Sequence, residues 1–457
     1  MGSCTAKLLA FVFALSCGCW RQAHAEQPDY QPQQVHIAIG DTNDEMVISW
    51  VTKDFTPSSI VEYGTDTLDA MVESYPKNFT NLGFELRVMF MHKVTIRNLL
   101  PDTRYFYHCG SEYGWSDLFT FKTWKSGTDW PLRIAMFGDM GSENAQSLPR
   151  LQSEVQMGMY DAIIHVGDFA YDMQNDNGRV GDEFMRQIQP IASLLPYMTV
   201  PGNHEMDIDF RNYKHRFHMP RHNNSWSLYY SWNMGPVHFI GINTELYYLF
   251  LYFFGTVQKQ HEWLVNDLKE ATKPENRAER PWIILYGHRP MYCSTVCHDD
   301  CYNVNCRTRV GYDLFNLPGI EDLLYEYGVD LAVWAHEHSY ERLWPIYNYT
   351  VVNASMEEPY TNPPVPVHFT TGSAGCKERI DEFAYPQPDW SAVRVADYGY
   401  TRMTVHNKTH LYWEQVSDEK NGDIQDSVWL VKDKHVSYAD LWEDWSQLIP
   451  SKLQLNE

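Results

Sequence analysis

The chain of 457 residues is 44% hydrophobic and 21% charged, which is the balance of a folded protein long enough for a large core and more than one domain. Its formal net charge of −23 argues against nucleic acid or anionic lipid as a main partner. A phosphorylated substrate stays open, because bound metal ions override the global field locally. Residues 1–25 have the form of an export signal, with Lys7, an apolar centre Leu8–Leu15 and the small-x-small site Ala23-His24-Ala25. The apolar run is too short to span a bilayer. Its removal reduces nine cysteines to six, and an even number in an exported chain points to disulfides. Sequons at Asn78, Asn223, Asn348, Asn353 and Asn407 agree with a glycoprotein that is secreted or held in the lysosomal lumen.

Residues 26–126 carry a β pattern. Short strands are expected at Val35–Ile39, Met46–Val51, His92–Ile96 and Phe119–Thr123, separated by turn signals. The Leu99-x-Pro101-x-Thr103-x-Tyr105-x-Tyr107 stretch is similar to the corner of a fibronectin III sandwich, and nothing here clusters metal donors. The segment therefore has the character of an accessory module. From residue 127 apolar strands alternate with helical segments, which predicts an α/β domain over 127–400. Its expected strands are Leu132–Phe137, Ala162–Val166, Tyr197–Val200, Val237–Ile242, Trp282–Tyr286, Asp330–Trp334 and Val367–Thr370, with a helix around His261–Leu268. Leu246–Phe254 is an apolar run that suits either a core strand or packed loop, or the wall of a cleft. Residues 401–457 supply further strands that complete the domain, then an acidic tail with a surface helix at Trp442–Trp445.

The chemistry lies after the core strands. Leu132–Phe137 is followed by Gly138-Asp139-Met140-Gly141, and Ala162–Val166 by Gly167-Asp168-Phe169-Ala170-Tyr171. Tyr197–Val200 is followed by Gly202-Asn203-His204-Glu205, Trp282–Tyr286 by Gly287-His288-Arg289, and Asp330–Trp334 by Ala335-His336-Glu337-His338. Ligands of α/β sheets bind outside the carboxyl ends of strands, so these donors are expected to converge. Nitrogen and oxygen donors without thiolates suit borderline to hard cations, and they are too many for one ion. Two cations clamp and polarise phosphoryl oxygens, so the pattern points to metal-assisted hydrolysis of a phosphate ester. Cys293, Cys297, Cys301 and Cys306 crowd one loop. Disulfides fit an exported chain better there than a zinc knuckle, and Cys109 and Cys376 are left to pair with each other or with that cluster.

The five motifs in this order resemble the purple acid phosphatase family, and the module in front resembles its long, plant-type members. The resemblance implies an all-β fibronectin III-like sandwich followed by a metallophosphoesterase domain, a β-sandwich flanked by helices. It implies a ferric ion held by Asp139, Asp168, Tyr171 and His338, and a divalent ion (Fe, Zn or Mn) held by Asp168, Asn203, His288 and His336, with Asp168 bridging. It also implies a secreted acid phosphatase that attacks phosphate monoesters with metal-bound hydroxide, while His204 and His298 bind phosphate and protonate the leaving group. Generic two-metal phosphoesterases carry Asp-x-His at the first motif. Here Gly141 takes that place and Tyr171 supplies the missing donor. The usual Gly-His-x-His becomes Ala335-His336-Glu337-His338. Arg289 suits a phosphate clamp or a buried salt bridge. The rival readings are a phosphodiesterase or nucleotide pyrophosphatase on the same metal pair, and a binding protein in which the β module recognises the partner.

Overall fold

The computed structural model describes residues 28–441 other than 297–299, 313–315 and 354, together with the side chains of these residues except 223, 250–252 and 254. The export signal, His298, Cys297 and the Trp442–Trp445 helix lie outside the described residues.

Residues 33–122 form two antiparallel sheets. One has the order Gln33–Ile39, Met46–Thr52, Val88–Ile96, Lys77–Thr80. The other has the order Ala70–Ser74, Ser59–Gly64, Arg104–Ser111, Gly114–Trp115, with Phe119–Lys122 also paired to Arg104–Ser111. Alternate residues such as Val35, Ile37, Ile48, Trp50, Tyr107 and Phe121 fill the space between the sheets. Tyr105 makes the expected corner, its hydroxyl accepting the Leu100 N–H at 2.9 Å. The module is not a loose accessory. Met46–Thr52 is buried at every position, which a two-layer sandwich alone does not require. The outer face of its sheet packs on the second domain, where His36 Nε2 donates to Arg216 O at 2.8 Å and Ser49 Oγ lies 3.1 Å from His218 Nδ1. The Tyr107 hydroxyl, from the other sheet, donates to Ser193 O at 2.8 Å, and the Val35 N–H donates to Gln189 Oε1 at 2.9 Å.

The second domain is built on two larger sheets. The six-stranded sheet runs Tyr197–Val200, Ala162–Val166, Leu132–Phe137, Gly399–Val405, His410–Ser417, Asp423–Val431, parallel over its first three strands and antiparallel thereafter. The seven-stranded sheet runs Tyr230–Met234, Val237–Gly241, Trp282–Tyr286, Leu331–Trp334, Val367–Thr371, Tyr340–Leu343, Ser391–Val395, with its central strands parallel. The central strands are buried on both faces, which is why they appear in the sequence as largely apolar runs, with His165 buried among them. The sheets pack face to face, as the stacked rings of Phe369 and Trp413 show with centroids 4.1 Å apart. Helices such as Leu148–Gln156, Asn175–Ala192 and Phe250–Ala271 cover the outside. Among the described residues no helix is long and apolar enough to cross a membrane.

The apolar run Leu246–Phe254 is no strand. Thr244–Tyr247 is a buried 3₁₀ turn, and the long helix then begins at Phe250, eleven residues before the stretch that its periodicity marks. The cysteine-rich loop holds a disulfide, as expected, but the pairing expected of Cys109 and Cys376 is not found. Cys293 and Cys301 form a disulfide, whereas Cys109, Cys306 and Cys376 are buried free thiols. Cys109 belongs to the core of the module and Cys376 to the second domain's site region, so the fold holds these two apart.

Candidate metal centre

Each donor sits two to five residues past the carboxyl end of a core strand. Asp139, Asp168, Tyr171 and Asn203 come from the six-stranded sheet, and His288, His336 and His338 from the seven-stranded sheet. The two sheets are tied at this end, where the Gly138 N–H donates to Thr371 O at 2.9 Å. Asp139, Asp168, Tyr171 and His336 have left-handed backbones, with φ of 58°, 52°, 55° and 69°. Such conformations turn the chain sharply enough to aim side chains into a common space, at a cost of about 1–3 kcal/mol each. Ala335 is accommodated without a positive φ and fills the hollow opposite Gly138, so the departure from glycine leaves the loop intact.

The donors gather into two groups. In the first, the Tyr171 Oη lies 2.8 Å from His338 Nε2 and 3.3 Å from Asp139 Oδ1, and His338 Nε2 is 3.5 Å from the same carboxylate oxygen. In the second, His288 Nε2 is 3.1 Å from each of Asp168 Oδ2, Asn203 Oδ1 and His336 Nδ1. All of the predicted metal donors are therefore brought together. His288 donates through Nδ1 to Val166 O at 2.9 Å, and His338 through Nδ1 to Arg379 O at 2.9 Å, which fixes their rings with Nε2 facing inward. The His338 N–H also donates to Asp381 Oδ2 at 2.6 Å.

Electrostatics show what this donor set wants. Burial works against a charge on His288, yet Asp168 and Asp139 outweigh it and raise its pKa to about 10. The Tyr171 phenol is pushed well above its usual range by burial and by the charges of Asp139 and Asp168. A set in which carboxylates hold a buried imidazole charged and a phenol protonated is one that a cation satisfies. Oxygen, imidazole and phenol donors are also the right chemistry for a ferric ion beside a divalent one. The residues present fit the pair.

His204 stands beside the first group, its ring 4.4 Å from that of Tyr171, with Nδ1 at 3.0 Å from Asp172 Oδ1. Burial opposes its charge, but Asp168, Asp172 and Glu205 together raise its pKa. Arg289 is not a free clamp. Its Nε donates to the buried Glu245 at 2.8 Å, its Nη1 is 2.8 Å from His336 Nε2, and its guanidinium lies over the Tyr248 ring at 4.4 Å. The apolar run thus contributes Tyr248 to the backing of the site. Asn78, Asn348 and Asn407 are exposed and Asn353 is half-buried.

Glu205 carries a role that the motif does not announce. Its Oε2 accepts the N–H groups of Asp168 at 2.8 Å and Gly202 at 2.9 Å, and its Oε1 that of Phe169 at 3.0 Å. It clasps the Asp168 and Asn203 loops together, and burial and the neighbouring Asp168 raise its pKa to about 8. Cys376 was also not anticipated as a neighbour of the site, where its Sγ lies 3.4 Å from His338 Nδ1.

The sequence matches three family profiles in succession. These are "Purple acid Phosphatase, N-terminal domain" over 32–123, "Calcineurin-like phosphoesterase" over 132–340 and "Iron/zinc purple acid phosphatase-like protein C" over 365–427. Acid phosphatase type 7 of Danio rerio is 52% identical over 411 residues, spanning 89% of this chain and 92% of that protein. The Homo sapiens protein of the same name is 49% identical over 435 residues, spanning 94% and 96%. An Arabidopsis thaliana protein described as Fe(3+)-Zn(2+) purple acid phosphatase 12 is 30% identical over 434 residues, spanning 90% and 87%. Among solved structures, purple acid phosphatase PPD1 from yellow lupin seeds superposes with a TM-score of 0.73 at 23% identity, covering 93% of this chain and 78% of that one. Motif order, two-sheet architecture and near full-length relatives agree, and the chain belongs to the purple acid phosphatase family of binuclear metallophosphoesterases.

Proposed function

We propose that the chain is a secreted or lysosomal acid phosphatase that hydrolyses phosphate monoesters at an Fe(III)–M(II) centre. Asp139, Asp168, Tyr171 and His338 hold the ferric ion, and Asp168, Asn203, His288 and His336 the divalent one. The observation that carries this reading is the gathering of donors from both sheets into two adjoining groups around Asp168, with His204 at their edge. When bound, the two ions supply Lewis acidity toward the phosphoryl oxygens and make a nucleophile available from water. The chain's own part is position and proton supply. Asp172 anchors Nδ1 of His204, and Nε2, 3.8 Å from Glu378 Oε1, is the atom that donates to a phosphoryl oxygen and then to the leaving alkoxide. His298 takes the partner role that the family resemblance implies. Glu205 holds Asp168 and Asn203 in register, and Arg289 steadies His336. In the domain division that follows, 26–126 is the sandwich, 127–400 carries the site and 401–457 completes its sheet.

The test is the visible absorption and metal content of the purified protein beside its Tyr171→Phe variant, with rates on a monoester and a diester chromogenic substrate. The expected outcome is one iron and one divalent ion per chain, a visible band that vanishes in the variant, and faster monoester hydrolysis. Two divalent ions without a band would remove the ferric assignment, a faster diester rate would remove the monoesterase, and a metal-free protein would remove the enzyme.

A further inference from the structure

Away from the metal centre, a cavity of about 380 Å³ opens between the β-sandwich and the segment that follows the Arg211–Arg216 helix. Its composition runs against the chain's charge of −23. Lys77 pairs with Met91 across the strands, and Lys93 lies two residues beyond Met91, so both lysines stand on one face of the sheet. That face looks onto His218 and His222, whose rings are 4.7 Å apart, and His218 Nδ1 is 3.1 Å from Ser49 Oγ, the residue opposite Lys93. Among the described residues neither lysine has an ion-pair partner, and only Glu73 adds a carboxylate to the lining. The other cations at the edge are matched: Arg97 by Glu45 at 2.8 Å and Lys214 by Asp209 at 2.8 Å. His215 is turned aside, with Nδ1 on Arg211 O at 2.8 Å and its ring against Phe79. The rim carries two broad exposed rings, Trp226 at 51% and Tyr75 at 75% exposure.

The protonation state of His222 can be read from its partner. Ser227 Oγ donates its one proton to Phe217 O at 2.9 Å and accepts the Met219 N–H at 2.9 Å. Its remaining lone pair faces His222 Nδ1 at 2.7 Å, so Nδ1 carries the hydrogen and Nε2 of the neutral ring presents a lone pair. Burial and the charges of Lys93 and Lys77 keep the ring neutral. An anion seated between the lysines and His222 would meet that lone pair unless Nε2 acquired a proton, and the anion's own charge is what would stabilise one there.

We infer that this cleft binds a sulfate or phosphate group carried on a sugar ring, the oxyanion lying between Lys77, Lys93 and His222, the sugar stacking on Trp226 or Tyr75, and His222 taking up a proton as the ligand enters. The site is separate from the metal centre and does not depend on it. Calorimetric titration with N-acetylglucosamine 6-sulfate at pH 5, in two buffers of different ionisation enthalpy, reads both affinity and proton uptake. Uptake approaching one proton per ligand is expected, together with affinity lowered about tenfold or more in K77E/K93E and uptake lost in H222Q. Lys77 is exposed and outside the catalytic apparatus, so K77E/K93E keeps its phosphatase rate and thereby reports a folded protein. Affinity undiminished in K77E/K93E, uptake unchanged in H222Q, or no binding would overturn the site. Equal affinity for inorganic sulfate would overturn the sugar.

Discussion

Gly202 lets the Asn203 loop approach Asp168 so closely that a Cβ there would lie 2.2 Å from its Oδ1 and 2.8 Å from His288 Nε2. Gly202→Ala is therefore expected to displace Asp168 while leaving every donor in place. Metal content and rate should fall by about 10–100-fold, the range for disturbed support of metal ligands, and elemental analysis of the purified variant checks it. Retained metal would show that the loop yields instead. The convergence of these side chains was legible, because each follows an apolar strand and ligands of such sheets gather at the carboxyl ends. The Glu205 clasp was not, since it depends on which backbone N–H groups point toward one carboxylate. Nor were the left-handed backbones at Asp139, Asp168, Tyr171 and His336, for nothing in an aspartate or tyrosine announces a positive φ.

At the scale of elements, apolar runs such as Ala162–Val166 and Trp282–Tyr286 were found at their observed bounds, because burial on both faces removes the polar alternation that blurs an edge, and the one histidine among them, His165, is itself buried. Strands with mixed exposure, such as Ser59–Gly64 and Ala70–Ser74, were passed over, as their alternation is weak over five or six residues. The junctions between elements left no sequence signal at all. Arg216, buried in the Arg211–Arg216 helix, donates to Asp182 at 2.9 Å on Asn175–Ala192 and to Gln34 at 2.9 Å on the sandwich. Arg216→Ala leaves the Asp182 charge with Arg87 alone. A loss of about 3 kcal/mol is expected, the lower end for a broken buried pair, with partial recovery in Arg216→Lys. Urea unfolding midpoints measure both, and an unchanged midpoint in the alanine variant would mean that Arg87 suffices.

The whole molecule carries an acid liability in its buried histidines. His92, His222 and His368 each have a pKa lowered to about 3, chiefly by burial. Their unfolded value is near 6.5, so below that pH the unfolded chain binds protons that the fold refuses, and stability present above pH 6.5 is lost as the pH falls toward 3. Each contributes up to ~1.4 kcal/mol per pH unit in that window. Urea midpoints taken at pH 7.5, 5.5 and 4.5 should therefore decline steadily, and a flat profile would show that other groups compensate. Division into a β module and an α/β domain was visible in the sequence, but their interlock through Tyr107, Val35 and Arg216 was not, because it rests on surface shape rather than on pattern. Each of the two donor groups draws on both large sheets, one through His338 and the other through His288 and His336. The strand Leu132–Phe137, which delivers Asp139, is flanked on its other side by Gly399–Val405. During synthesis one group is not whole until His336 has emerged and the other not until His338, and their scaffold closes only some sixty residues later, at Gly399–Val405. Stable loading of both groups therefore requires most of the chain, through Gly399–Val405, to have been made.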